Sequence, residues 1–171
     1  MKSEGLSRYF PLFVLAAAGF VWFTGQSMPA VVASHFGASG RADAFVPREG
    51  YLRFMTALVL LLPVLVVYLP NWLLARVGFA VNLPNRQYWM APERRGDTLA
   101  YLRGNSFRLG YLLVGLLAYV HWLVVRANAA VPPVLDARWL VGGLVVFVVG
   151  AGACVLALVR RFVRVPDRRA R

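Results

Sequence analysis

The sequence predicts an all-α membrane protein, a four-transmembrane-helix bundle with both termini in the cytoplasm. Of its 171 residues, 60% are hydrophobic and only 15% are charged, whereas soluble domains average about 45–50% and about 25%. The mean hydropathy is +0.62. The apolar residues form four long runs, and the arginines gather between them. So much apolar sequence excludes a disordered chain, and a single cysteine, Cys154, excludes a disulfide-stapled module.

Each of the four apolar runs is long enough to cross a bilayer. No formal charge occurs between Arg8 and Arg41, and the later runs 54–75, 109–125 and 139–159 carry none either. A spanning helix needs about 20 apolar residues, and a helix satisfies its backbone hydrogen bonds within itself. The predicted spans of this single domain, residues 1–171, are 9–27, 53–75, 107–126 and 139–160. Lys2 precedes the first run as in a signal peptide, but the run's length and aromatic far end predict a retained span.

The arginine distribution predicts the orientation. Fourteen of the 19 Lys and Arg residues lie before the first run, between the second and third, or after the fourth. The positive-inside rule places these regions in the cytoplasm. Loop 28–52 is then outside, and loop 76–106 and the basic tail 160–171 are inside. Because the arginines flank the spans, they suit lipid headgroups, so the predicted partner is the lipid bilayer and not nucleic acid.

Three features within the spans point to helix contacts or to function. Pro63 and Pro70 predict a packing kink in the second span. Gly143 and Gly150 share one face of the fourth span, which predicts close contact with a helix of this chain or of a second copy in a homo-oligomer. His121 lies well inside the third span, near its outer end. Such a residue is either a neutral hydrogen-bonded anchor, a proton or ligand site, or a metal ligand.

Loop 28–52 carries the first candidate site. Its prolines and glycines predict turns that present polar side chains at the outer membrane face. One His with one or two carboxylates supplies too few ligands for zinc, so a metal site would need His121 as well. The sequence predicts a hydrogen-bonded loop with no metal and no cofactor. The candidate residues are Pro29, His35, Phe36, Gly40, Arg41, Asp43 and His121.

Loop 76–106 carries the second candidate set. Its aromatic rings are expected at headgroup depth, with guanidinium groups on lipid phosphates and a carboxylate, Glu93, paired with a neighbouring or tail arginine. From Pro92 a short interfacial helix is expected to lead into the third span. The candidate residues are Asn85, Tyr88, Trp89, Pro92, Glu93, Arg94 and Arg95.

These two loops carry a resemblance. The pattern Pro29 … Ser34-His35-Phe36 … Gly40-Arg41-Ala42-Asp43, followed by a span, resembles a bacterial membrane domain of unknown function related to the SdpI family of immunity proteins against the sporulation-delaying peptide toxin. Segments 85–89 and 92–95 resemble the stretch after the second span in that family. The family's loop has a proline before the His and often an Asn after the Phe, where this chain has Ala33 or Ser34 and Gly37. The resemblance covers about residues 10–95 and implies toxin immunity at a bacterial inner membrane. The site residues that it implies are Pro29, His35, Phe36, Gly40 and Asp43 outside, and Asn85, Tyr88, Trp89, Pro92, Glu93 and Arg94 inside.

Enzyme motifs are missing from the sequence. It contains no Walker loop, no G-x-S-x-G and no H-E-x-x-H motif, so we expect a non-enzymatic protein. We expect the outer loop to sense or block an extracytoplasmic agent, such as a peptide toxin. The cytoplasmic loop would then signal to another membrane or regulatory protein. The alternatives are a small transporter or channel subunit acting as an oligomer and, third, an intramembrane enzyme using His121 with His35 and Asp43.

Overall fold

The structure, a computed structural model, describes residues 2–77 and 82–165, with side chains for 5–76 and 82–165. The end of the basic tail, residues 166–171, therefore lies outside the described residues. The elements in chain order are helix α1 (Lys2–Gly25), strands β1 (Val31–Phe36) and β2 (Ala42–Pro47), helix α2 (Arg48–Pro63), a π-helical segment (Val64–Tyr68), and helices α3 (Leu69–Val77), α4 (Arg86–Trp89), α5 (Pro92–Asn128) and α6 (Ala137–Val163).

The predicted four-helix membrane class is confirmed. Four helical stretches within the described residues are long and apolar enough to cross a membrane: Gly5–Gly25, Arg48–Arg76, Pro92–Asn128 and Ala137–Val163. The side of the membrane that each end faces stays a prediction. We therefore name the two ends by their content, the hairpin end (β1, β2 and residues 129–136) and the arginine-rich end (residues 82–106 and 160–165).

Helix α5 is the centre of the bundle. It packs against α1, α2 and α6, and the main core lies between α1, α2 and α5, with Phe10, Val59 and Val114 fully or almost fully buried. Helix α6 packs along α5 and contacts α4 only at its end, through Phe162, and most of its valines are exposed. Such an apolar outer surface is typical of a helix whose remaining faces contact lipid.

The close contact predicted for Gly143 and Gly150 is with α5. A methyl group at Gly143 would overlap the Tyr119 ring, and one at Gly150 would press on Leu112. The intrachain alternative therefore accounts for both glycines. Association with a second copy through α6 stays a prediction.

The second span is irregular between its two prolines, where the sequence predicted a packing kink. Pro63 and Pro70 have no backbone N–H to donate to the preceding turn. Between them the chain widens into the π-helical segment, where the Leu69 N–H donates to the Val64 carbonyl five residues back. The irregularity is thus one wide turn inside an otherwise continuous span.

Helix α5 joins two elements that the sequence reading separated. The short interfacial helix expected from Pro92 continues without a break into the third span as one helix of 37 residues. At 1.5 Å per residue it is about 55 Å long, well beyond the roughly 30 Å hydrocarbon core. Pro92 occupies the first turn, where its missing N–H is not needed.

Loop 28–52 forms an antiparallel hairpin, which we did not predict from the sequence. Val32 pairs with Val46 and Ala33 with Phe45, and an irregularity in register follows at His35. The turn between the strands is closed by the Gly40 N–H donating to Gly37 O and the Gly37 N–H donating to Arg41 O, at 2.8 and 2.9 Å. Helix α2 begins directly after β2, at Arg48.

Candidate functional site

The hairpin is bound to the end of α5 by one side chain. Asn128 Oδ1 accepts a hydrogen bond from the Ala33 N–H at 2.8 Å, and its Nδ2 donates to the Ala33 carbonyl at 3.0 Å. Both residues are buried. The Asn128 amide therefore satisfies the free edge of β1 as a neighbouring strand would.

Two further contacts fix the hairpin. At its turn, the Leu135 N–H donates to the Gly40 carbonyl at 2.8 Å. Gly40 has φ +79°, and a methyl group there would overlap the Leu135 carbonyl, so a glycine is required. At its base, the Arg48 guanidinium donates to the carbonyls of Gln26 and Met28 at 3.1 and 2.9 Å, which ties the hairpin to the turn that follows α1.

The hairpin presents an exposed His–carboxylate pair. His35 Nδ1 lies 2.5 Å from Asp43 Oδ1, with side chains 71% and 52% exposed. An exposed pair of this kind contributes only about 0–1 kcal/mol to stability. Of the other predicted residues, Arg41 and Pro29 are exposed, whereas Phe36 is half-buried against the core. The hairpin fold does not depend on the pair, which leaves it available for recognition.

A second exposed ion pair lies beside the hairpin turn. Asp136 caps the start of α6 by accepting the Arg138 N–H at 2.9 Å, and it also accepts from the Arg138 guanidinium at 2.8 Å. The hydrogen bonds from Arg138 lower the pKa of the Asp136 carboxyl below its usual value. The Arg138 side chain thus stabilises the ionised form of Asp136 beside the hairpin turn.

His121 is buried in the bundle and separate from the exposed pair. Its Nε2 lies 3.0 Å from Thr24 Oγ1 on α1, and its Nδ1 lies 3.1 Å from the Tyr51 hydroxyl on α2. The Thr24 hydroxyl already donates to the Phe20 carbonyl at 2.6 Å, so it accepts from His121. Nδ1 then accepts from Tyr51, and the network assigns a neutral imidazole protonated at Nε2. This geometry is that of the hydrogen-bonded anchor.

The composite metal site is not formed. Across residues 2–77 and 82–165 no group of three or more His, Cys, Asp and Glu side chains is placed to hold a metal ion. His121 has hydroxyl partners from two helices, whereas His35 has Asp43. The two imidazoles thus belong to different clusters.

The second candidate set mainly clamps the end of α6. The Asn85 amide donates to the carbonyls of Phe162 and Val163 at 3.2 and 2.9 Å, and the Trp89 indole N–H donates to Phe162 O at 3.0 Å. The Trp89 ring packs edge-on against the buried Phe162 ring. The Trp89 ring packs on protein because the loop folds back over α6, and its position at headgroup depth stays a prediction.

The rest of the set is nearer the surface. The Arg94 guanidinium lies 4.1 Å from the centre of the Tyr88 ring, which is a cation–π contact. Glu93 and Arg95 are exposed. Glu93 makes no ion pair with Arg94 or Arg95, and the arginines of the tail beyond 165 lie outside the described residues.

A third polar cluster was missed by the sequence reading. Asn71, just after the π-helical segment, donates to the Val67 carbonyl at 2.7 Å and to Ser106 Oγ at 3.1 Å. Beside it Asn105 is only 2% exposed, and its Oδ1 has no hydrogen-bond partner among the described residues. The available signal was a lone amide, Asn71, within an apolar run, because polar groups are unfavourable there unless paired.

No protein-family model, curated protein or solved structure matches this chain. The relation to the SdpI family therefore stays a prediction from the loop residues.

Proposed function

We propose that this chain is a non-enzymatic integral membrane protein whose hairpin recognises an extracytoplasmic agent, in the manner of the SdpI-related immunity proteins. The observation that carries this proposal is the anchoring of the hairpin. Asn128, the turn at Gly40 and the Arg48 guanidinium hold it from three sides. A surface that is ordered before it meets a partner loses less conformational entropy on binding.

The surface chemistry of the hairpin suits an amphipathic peptide. His35, Asp43 and Arg41 are its exposed polar groups, and Val31 and Phe45 are 60% and 53% exposed. A cavity of about 550 Å³ lies between the hairpin, α2 and α5 and includes Tyr51 and Phe54. Its size falls within the range of small-molecule sites and suits an apolar side chain of a bound peptide.

The proposed location is the cytoplasmic membrane of a bacterium, with both termini inside. The arginine distribution supports it, and several arginines contact aromatic rings near the helix ends, as Arg76 does Trp72 and Arg126 does Trp122. Such pairs are typical of interfacial anchors. On the inner side, the exposed residues Glu93 and Arg95 would contact a membrane or regulatory partner.

The test is protection of sensitive bacterial cells against the sporulation-delaying peptide. Cells that express the chain should survive a dose that kills cells with an empty vector. We expect His35→Ala and Asp43→Asn to abolish protection while membrane insertion stays normal. The matched control is Glu49→Gln, because the Glu49–Arg53 pair is equally exposed and belongs to the start of α2.

Two outcomes would contradict this proposal. Full protection by both hairpin variants would show that the His35–Asp43 pair takes no part in recognition. If the unaltered chain fails to protect the cells, immunity against this peptide is not its function.

A small transporter or channel subunit acting as an oligomer is the second candidate. The observation that favours it is the π-helical segment between Pro63 and Pro70, since irregular helix turns next to polar groups recur at transport sites. It predicts solute flux into proteoliposomes that falls in Asn71→Leu. No flux across a broad solute panel would count against it.

A further inference from the structure

A lateral cavity lies at the irregular turn of the second span. It measures about 340 Å³ and opens between the π-helical segment, α3, α5 and α6. Val66 and Pro70 on its wall are exposed, so the cavity is accessible from the surrounding membrane. Its lining residues are Val66, Val67, Pro70, Asn71, Leu74, Leu102, Asn105, Ser106, Leu109, Gly110, Leu113, Phe147 and Leu158.

Asn105 supplies the unpaired polar atoms of this cavity. The residue is 2% exposed, and among the described residues neither its Oδ1 nor its Nδ2 makes a hydrogen bond. A buried polar group without a partner is costly, and most such groups in native proteins have one. The neighbouring Asn71 amide nitrogen is already committed to Val67 and Ser106. The unmet groups at this point are therefore one carbonyl oxygen and one amide NH2 group.

The remaining wall excludes a charged headgroup. No lining residue is charged, and a phosphate or ammonium group moved into this apolar surrounding would lack a counter-charge. A hydroxyl group both donates and accepts a hydrogen bond, so a single hydroxyl can satisfy both free groups of Asn105. The apolar walls suit hydrocarbon.

The cavity lies at the depth in the membrane where the polar end of a lipid lies. Arg76 follows Asn71 by five residues, which is about 7 Å along the helix. On α5, Arg103 and Arg108 flank Asn105 at two and three residues, and both are exposed. Arginines at span ends extend to the headgroup layer. Asn105 therefore lies just below that layer, where the glycerol part of a lipid lies.

From these observations we propose that the cavity binds a neutral membrane lipid with a free hydroxyl group, of the diacylglycerol class, and that Asn105 binds the hydroxyl. The acyl chains extend past Val66 and Pro70 into the bilayer. The site is at the arginine-rich end and is independent of the hairpin and its recognition role.

The test uses the full chain in phosphatidylcholine nanodiscs with photoreactive diacylglycerol. We expect cross-links within 66–74 and 102–113, located by mass spectrometry of the peptides. Asn105→Leu should reduce them about tenfold, the factor equivalent to about 1.4 kcal/mol. Leu102→Trp, which fills the cavity from its wall, should reduce them as well. The matched control is Gly115→Leu, which enlarges a residue of the neighbouring α5–α6 groove that does not line the cavity, and it should leave labelling unchanged.

Two companion probes separate the alternatives. An acetylated diacylglycerol that lacks the hydroxyl should label at least about tenfold less than the parent probe. Equal labelling by the acetylated and the parent probe would overturn the proposal, because the cavity would then bind the hydrocarbon chains without a hydrogen bond to the hydroxyl. Stronger labelling by photoreactive phosphatidic acid would assign the site to an anionic lipid drawn by the arginines. Absence of labelling by all three would leave water as the partner of Asn105 and would also overturn it.

Discussion

The two ends of α5 differ in whether their buried polar side chains have hydrogen-bond partners. At the hairpin end, His121 and Asn128 have protein partners for their polar atoms, on α1, α2 and β1. At the arginine-rich end, Asn105 is equally buried but has no such partner in the described part of the chain. A satisfied polar network fixes helices in one arrangement, whereas an unsatisfied group at a cavity indicates a ligand. The comparison separates polar groups that hold the fold together, at the hairpin end, from the one that we propose binds a lipid, at the arginine-rich end.

The largest effect is expected for Asn128→Ala. The change leaves the buried N–H and carbonyl of Ala33 without partners, and each such group costs about 1–3 kcal/mol. The free energy of unfolding should fall by about 2–6 kcal/mol. Hydrogen exchange of 31–47 should rise while exchange in the middle of α1 stays slow. Unchanged exchange in the hairpin would show that Gly40 and Arg48 hold it without Asn128.

A smaller loss is expected for His121→Leu. The Tyr51 hydroxyl loses its partner, whereas Thr24 keeps its bond to the Phe20 carbonyl, so about 1–3 kcal/mol of unfolding free energy should be lost. Denaturant unfolding in mixed micelles measures it. Tyr51→Phe in the His121→Leu background should restore part of the loss, because no hydroxyl then remains unpaired. If the loss in the double variant equals the sum of the losses in the two single variants, the Tyr51–His121 hydrogen bond is contradicted.

The smallest effect is expected for Asn105→Leu. This change removes a polar group that has no protein partner, so unfolding free energy measured without added lipid should stay within about 1 kcal/mol or rise. Leucine has the same branched arrangement of side-chain heavy atoms as asparagine, and its larger methyl groups suit the apolar wall of the cavity. A loss as large as that of His121→Leu would show that Asn105 has a structural partner, and the contrast between the two ends would disappear.

The membrane architecture was predictable from the sequence. Crossing a bilayer requires only a local property, a sufficient run of apolar residues, and each run is contiguous. The irregular turn at Pro63 and Pro70 was also predictable, since a missing N–H acts within one turn. By contrast, the hairpin was not, because two short strands are marginal alone and depend on Asn128, 95 residues from Ala33.

The candidate sites show the same division. Sequence reading selected His121 and the 85–95 segment as special, but not their partners. The chain neighbours of His121 are turned away from it: Tyr119 packs at Gly143 and donates to the Trp139 carbonyl. The actual partners, Thr24 and Tyr51, are 97 and 70 residues away in sequence.

Hydropathy and charge in the sequence alone determined four helices and the gathering of arginines between them, because lipid and water act on each segment separately. Tertiary structure alone decided which buried polar atoms are paired, since pairing depends on how helices rotate and approach one another. His121, Asn128 and Asn105 lie on one helix, and packing gave partners to the first two and a cavity to the third.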